Sequence, residues 1–157
     1  MSTDALEQIY RQQFPAFLRV ATAISGDTEG GKDAVQAAFV SAVRNIRSFR
    51  GEGTIEAWVW AIVLREARKV RASHDVPLEE VSELGHTNGA VGDGPEGVRS
   101  LLAALPPRQR EAVFLRYFAD LDYRSIARVL GVEPGTVSAT LSAAHQTMRK
   151  RLEATAR

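Results

Sequence analysis

The sequence predicts an all-α protein made of two small helical domains, three helices in the first and a helix-turn-helix domain of four in the second, joined by a flexible linker. Three observations predict it. Apolar residues recur every three or four positions through most of the chain, the spacing that lines one face of a helix. Strand-type alternation, internal repeats and low-complexity tracts are absent. Between Ser73 and Gly97 the pattern fails, and Pro77, Gly85, Asn88-Gly89, Gly92 and Asp93-Gly94-Pro95 supply turn and breaker signals instead. The expected division is therefore a domain over 1–73, a linker over 74–97 and a domain over 98–157. The 157 residues, 45% of them hydrophobic, suffice for two small packed cores.

The elements follow in order. Leu6, Ile9, Tyr10, Phe14, Phe17, Leu18 and Ala21 predict a first helix that Pro15 kinks or splits. Gly26, Gly30 and Gly31 predict a loop. A second helix is expected over about 32–46, with Val35, Phe39, Ala42, Val43 and Ile46 on one face. Gly51-Glu52-Gly53 ends that unit, and Thr54 is placed to cap a third helix over about 55–71. Trp58 and Trp60 lie two apart and so face different sides of it. Trp58 is expected in the core and Trp60 nearer the surface. In the second domain helices are expected over 98–105, 107–118, 123–130 and about 134–152. Pro107 and Pro134 sit at first-turn positions, where a missing N–H costs nothing.

Several function classes drop out. With no cysteine there is no disulfide and no thiolate metal site, which fits a cytoplasmic protein. The first residues lack the charge-then-apolar pattern of a secretory signal, and no apolar run reaches the ~20 residues of a membrane helix. His74, His86 and His145 have no metal-ligand spacing, and no nucleophile elbow, phosphate loop or paired carboxylates are present. No enzyme activity, cofactor or metal is expected. Net charge is only +1, but its distribution is uneven. Residues 1–75 carry ten basic against nine acidic side chains, 76–98 carry five acidic and no basic, and 99–157 carry ten basic against five acidic.

The strongest local pattern runs from Tyr123 to Ser142. Ile126, Leu130, Val132, Val137 and Leu141 are spaced to share one small core, Ala127 is small enough for a close helix crossing, and Gly131 suits a sharp turn. The pattern predicts a helix-turn-helix, whose second helix is expected to lie in a DNA major groove. The same spacing also suits an αα-hairpin that only packs or only binds protein.

Leu105-Pro-Pro-Arg-Gln-Arg-Glu-Ala-Val-Phe-Leu-Arg-Tyr117, Leu121-Asp-Tyr-Arg-Ser-Ile-Ala and Gly135-Thr-Val137 resemble region 4 of the extracytoplasmic-function sigma factors. Asp33-Ala-Val-Gln-Ala-Ala-Phe-Val40, Phe49-Arg50-Gly51-Glu52 and Trp58 resemble region 2 of the same family. The resemblance implies that Asp33, Gln36, Phe39 and Val40 dock on the β′ clamp helices of RNA polymerase core. It implies that the stretch from Trp58 to Arg71 melts and reads the minus-10 promoter element. There Trp60 is expected to stack on an unpaired base, and Arg65, Arg68, Lys69 and Arg71 to contact phosphates. Region 4 implies a seat on the β flap and a minus-35 contact by the helix from Pro134. Candidates are Gly135, Thr136, Ser138 and Thr140, with Arg116, Arg124 and Arg128 on the flanking backbone. An anti-sigma factor is a further partner left open.

Two departures stand out. Leu64-Arg65 and Lys69 occupy positions where the family usually has an Arg-Asn pair and an Asp. In the recognition helix Ser138, Thr140, Ser142 and Ala143 stand where the family often has Lys, Arg and His, with basic residues only later at Arg149, Lys150 and Arg151. Two rival readings follow: a sigma-like adaptor that binds polymerase or another protein without reading promoters, and a stand-alone helix-turn-helix regulator that binds DNA as a dimer.

Overall fold

The computed structural model describes residues 3–74 and 101–155. The chain divides into two compact units, Met1–Gly92 and Asp93–Arg157. The described residues form helices and connecting turns, with no strand among them. Position 74 of the expected linker is helical, and from position 75 onward the linker lies outside the described residues.

The first unit holds α1 (Thr3–Ser25), α2 (Thr28–Arg44) and α3 (Ile55–His74), each packed on the other two. Helix α1 is not split. It runs unbroken through Pro15, whose ring sits on the exposed side, while Leu6 and Ile9 before it and Phe17 and Val20 after it are buried. Packing on both sides of the lost hydrogen bond outweighs the local cost. The loop expected at Gly26, Gly30 and Gly31 is much shorter. Only Gly26 turns the chain, at φ 114°. Asp27 caps α2 by accepting the Gly30 N–H at 2.6 Å. Gly31 lies within α2, against α1. A Cβ there would stand 2.8 Å from Thr22 Cα and 2.9 Å from Thr22 N. The missing side chain is what lets the two helices approach.

Helix α2 ends at Arg44, and a 3₁₀ turn over Ile46–Ser48 follows, where a continuous helix to Ile46 was expected. Thr54 caps α3 as expected, its Oγ1 accepting the Ala57 N–H at 3.1 Å. The tryptophans reverse the expectation. Trp60 is fully buried, its ring 4.4 Å from Phe17 and its indole N–H donated to Gln13 Oε1 at 3.2 Å. Trp58 is half-buried and tilts against Phe49 at 5.5 Å. Trp60 therefore anchors the core, because Gln13 supplies the partner that a buried indole needs.

The second unit holds α4 (Pro107–Tyr117), α5 (Tyr123–Leu130) and α6 (Pro134–Thr155). Residues 101–103 are helical; positions 98–100 of the expected helix lie outside the described residues. The buried Arg110 donates from Nη2 to Leu105 O at 3.1 Å and Ala103 O at 3.4 Å, tying that segment to α4. Pro107 occupies the first turn of α4. Asp122 caps α5 by accepting the Ser125 N–H at 2.8 Å, and Gly131 ends it at φ 69°. That left-handed conformation is cheap only for glycine. Ile126, Ala127, Leu130, Val137 and Leu141 are buried together with Phe114 and Leu115 of α4, whereas Val132 is half-buried. The expected helix-turn-helix is thus present, and α6 runs three residues past its expected end.

Candidate nucleic-acid and partner interfaces

In the first unit, α2 turns Asp33, Gln36 and Val40 to solvent. Phe39 is half-buried, its ring 5.0 Å from Tyr10 and 5.4 Å from Phe17. Depressions flank this face on both sides. One, of about 660 Å³, is mainly apolar and lined by Tyr10, Phe14, Val35, Phe39, Val40 and Val43 among others. The other, of about 490 Å³, lies between α2 and α3. Its polar lining includes Asp33, Gln36, Arg44, Asn45 and Glu66. Exposed Val40 and Val43 next to Tyr10 make a mixed apolar and polar surface, the composition that favours a protein partner.

Helix α3 exposes Arg65, Arg68 and Lys69, with Arg71 half-exposed. Glu66 sits among them. Its Oε2 lies 3.2 Å from Lys69 Nζ and 3.9 Å from Arg65 Nε. Sequence reasoning missed this carboxylate, although its spacing to Lys69 is the signal of an intrahelical pair. Trp60, expected to stack on a base, is withdrawn from the surface by the core packing described above. Trp58, beside Phe49, is the indole left with an accessible edge.

In the second unit, Arg124 and Arg128 on α5 and Pro134, Gly135, Thr136 and Ser138 on α6 are exposed, while Thr140 is half-buried. Arg116 has internal partners: Nη1 donates to Leu121 O at 3.1 Å, and the guanidinium lies 5.7 Å from the Tyr123 ring centroid. It braces the α4–α5 connection. Two features went unforeseen. Tyr117 and His145 join α4 to α6 through an exposed contact, hydroxyl to Nε2 at 3.1 Å. The Asp122 cap was the other, although Asp three positions before Ser125 is a recognisable capping pattern. Its carboxyl is held below the ordinary aspartate value by the Ser125 backbone N–H, then by the Ser125 side chain, with Arg124 and Arg116 adding attraction. Among the described residues no group of three or more acidic, His or Cys side chains is placed to hold a metal, and no helix is long and apolar enough to cross a membrane.

Two helical units, the second a helix-turn-helix, with exposed basic and mixed apolar–polar faces, have the outline of a transcription factor. Comparison with known proteins narrows this. The chain matches the family Sigma-70 region 2 over residues 9–75 and the family Sigma-70, region 4 over residues 96–148. It is 30% identical over 152 residues to the ECF RNA polymerase sigma factor SigM of Mycobacterium tuberculosis, covering 94% of this chain and 77% of that protein. It is 27% identical over 160 residues to the RNA polymerase sigma factor YlaC of Bacillus subtilis, covering 95% and 92%. Its fold is similar to that of the sigma factor RpoE, solved in complex with the anti-sigma factor NepR from Bartonella quintana. The TM-score there is 0.74 at 21% identity, over 97% of this chain and 98% of that one. The chain belongs to the extracytoplasmic-function sigma factors of the sigma-70 family.

Proposed function

We propose that this sigma factor seats RNA polymerase core on the outer face of α2, through Asp33, Gln36, Phe39 and Val40, and promoter DNA on α3 and on the α5–α6 pair. The observation that carries the reading is the α2 face itself. Exposed Asp33, Gln36 and Val40 lie on a helix held by two neighbours, with an apolar groove beside them. A rigid, mixed surface of this kind is where a few side chains carry most of the binding energy. Arg65, Arg68, Lys69 and Arg71 then meet the backbone of the melted strand, and Trp58 replaces Trp60 as the ring that stacks on an unpaired base. Arg124 and Arg128 hold the upstream duplex by its phosphates, with Pro134, Gly135, Thr136 and Ser138 at the groove. Linking two modest contacts in one chain raises avidity through effective concentration. The chemistry of transcription stays with the polymerase. An anti-sigma factor, such as the one bound to the RpoE of similar fold, is a further partner on this reading.

The test is Asp33→Arg. We expect weaker association with purified core in a pull-down titration, unchanged helicity, and loss of run-off transcripts from genomic fragments. Core affinity equal to the unaltered protein would overturn the assignment of α2. One observation favours a second reading. The exposed first turns of α6 present Pro134, Gly135, Thr136 and Ser138 and no cation, which suits an adaptor that occupies polymerase without reading an upstream element. Promoter activity that ignores the minus-35 sequence altogether would favour that reading.

A further inference from the structure

Glu66 stands between two of the surfaces assigned above. Its side chain is only 15% exposed and lines the polar α2–α3 cleft with Asp33, Gln36 and Arg44. The same Oε2 pairs with Lys69 Nζ at 3.2 Å and approaches Arg65 Nε to 3.9 Å. One carboxylate oxygen thus bonds one of the cations assigned to DNA, Lys69, and lies near a second, Arg65, from within a cleft bordered by residues assigned to polymerase. The cations themselves are exposed, Lys69 at 65% and Arg65 at 56% of their side chains. Such pairs are weak and readily exchanged. The cleft lining itself carries two acidic side chains, Asp33 and Glu66, and one basic, Arg44, so once Lys69 and Arg65 swing away it has room for a cation of a partner.

We propose that Glu66 is a positioning residue that couples the two surfaces. In the free protein its carboxylate keeps Lys69 and Arg65 drawn toward the cleft. When core is seated, a cationic side chain of the partner enters the cleft, takes over the carboxylate, and frees Lys69 and Arg65 for DNA phosphate. The proposal rests on the reading that α2 seats the core. Because coupling is reciprocal, whatever removes the Lys69 pair must also ease core binding. That consequence is measurable without DNA.

The experiment is a set of core-affinity titrations on the full chain: the unaltered protein, Lys69→Gln, Glu66→Gln, the two combined, and Asp33→Arg. Lys69 is exposed on a helix, so Lys69→Gln keeps the fold, and circular dichroism checks it. We expect Lys69→Gln to bind core about two- to five-fold more tightly, the scale of one exposed ion pair. We expect Glu66→Gln to bind more weakly by a similar factor, and Lys69→Gln to add nothing in the Glu66→Gln background. A purely structural role for the pair would not tighten binding. Unchanged affinity in Lys69→Gln, or equal tightening in both backgrounds, overturns the coupling if Asp33→Arg still weakens core binding. Unchanged affinity in Asp33→Arg removes the α2 assignment and the coupling with it.

Discussion

A β-carbon at Gly31 would press on the Thr22 backbone, which has no rotamer to escape into. Overpacking of this kind costs about 1–3 kcal/mol. Helix propensity returns about 0.5–1 kcal/mol. Since the clash is with main-chain atoms, the upper part of the range applies. Gly31→Ala is expected to lower the melting temperature of the first unit by several degrees, read by circular dichroism. Asp122 makes a pH prediction. Its carboxyl titrates lower in the folded chain than in the unfolded one, because the charged form accepts the Ser125 N–H. Its contribution is fully present above the unfolded-state value of about 3.9 and is lost as pH falls through the lower folded-state value. Asp122→Asn keeps a capping oxygen that does not titrate. We expect the melting temperatures of the two proteins to converge as pH drops below about 4. A constant difference down to the acid end would remove the cap from the account. At this scale the sequence was only partly legible. Glycines punctuate loops, so Gly30 and Gly31 read as a loop, whereas in the structure they are helical and Gly31 serves a close approach that only a three-dimensional neighbour, Thr22, reveals. For Trp58 and Trp60, spacing shows that one ring is inside. Which one depends on Phe17 and Gln13, more than forty positions away.

The helix-turn-helix was the most legible element, because its determinants are local. Gly131 at φ 69°, the apolar spacing from Ile126 to Leu141 and the bounds of α5 all follow from neighbours in the chain. Helix α1 was less legible, since Pro15 is a local signal overridden by tertiary packing on either side. On α6 the exposed surface of the first turns is hydroxyl, glycine and proline, and each good Arg or Lys contact to a guanine edge would discriminate by about 1–3 kcal/mol. Without such contacts we expect the α5–α6 pair to hold the duplex mainly by phosphates and DNA shape. We expect Arg124→Ala to weaken binding to many upstream sequences by similar factors and to reduce the salt slope by about 0.9. Thr140→Ala, at a half-buried position, is expected to do comparatively little. A randomised minus-35 library checks both. A sharp base requirement that disappears in Thr140→Ala would establish direct readout by this helix instead.

For the molecule as a whole, each unit carries its own buried set: Phe17, Trp60 and Val59 in the first, Phe114, Leu115 and Ile126 in the second. We therefore expect fragments spanning 1–73 and 98–157 each to give a helical circular dichroism spectrum, though units this small have marginal stability. Unfolded spectra from both would mean that they depend on a shared core. The buried position of Trp60 has a practical consequence. Both tryptophans of the chain, Trp58 and Trp60, lie in the first unit, and the second has only tyrosines among its strong near-ultraviolet emitters. Fluorescence excited at the red edge is thus a reporter built into one half of the protein. Its emission shifts to longer wavelength when the Phe17–Trp60 contact opens and so follows the first unit, while far-ultraviolet dichroism sees both. Non-coincident melts by the two probes would resolve two separate transitions in the intact chain.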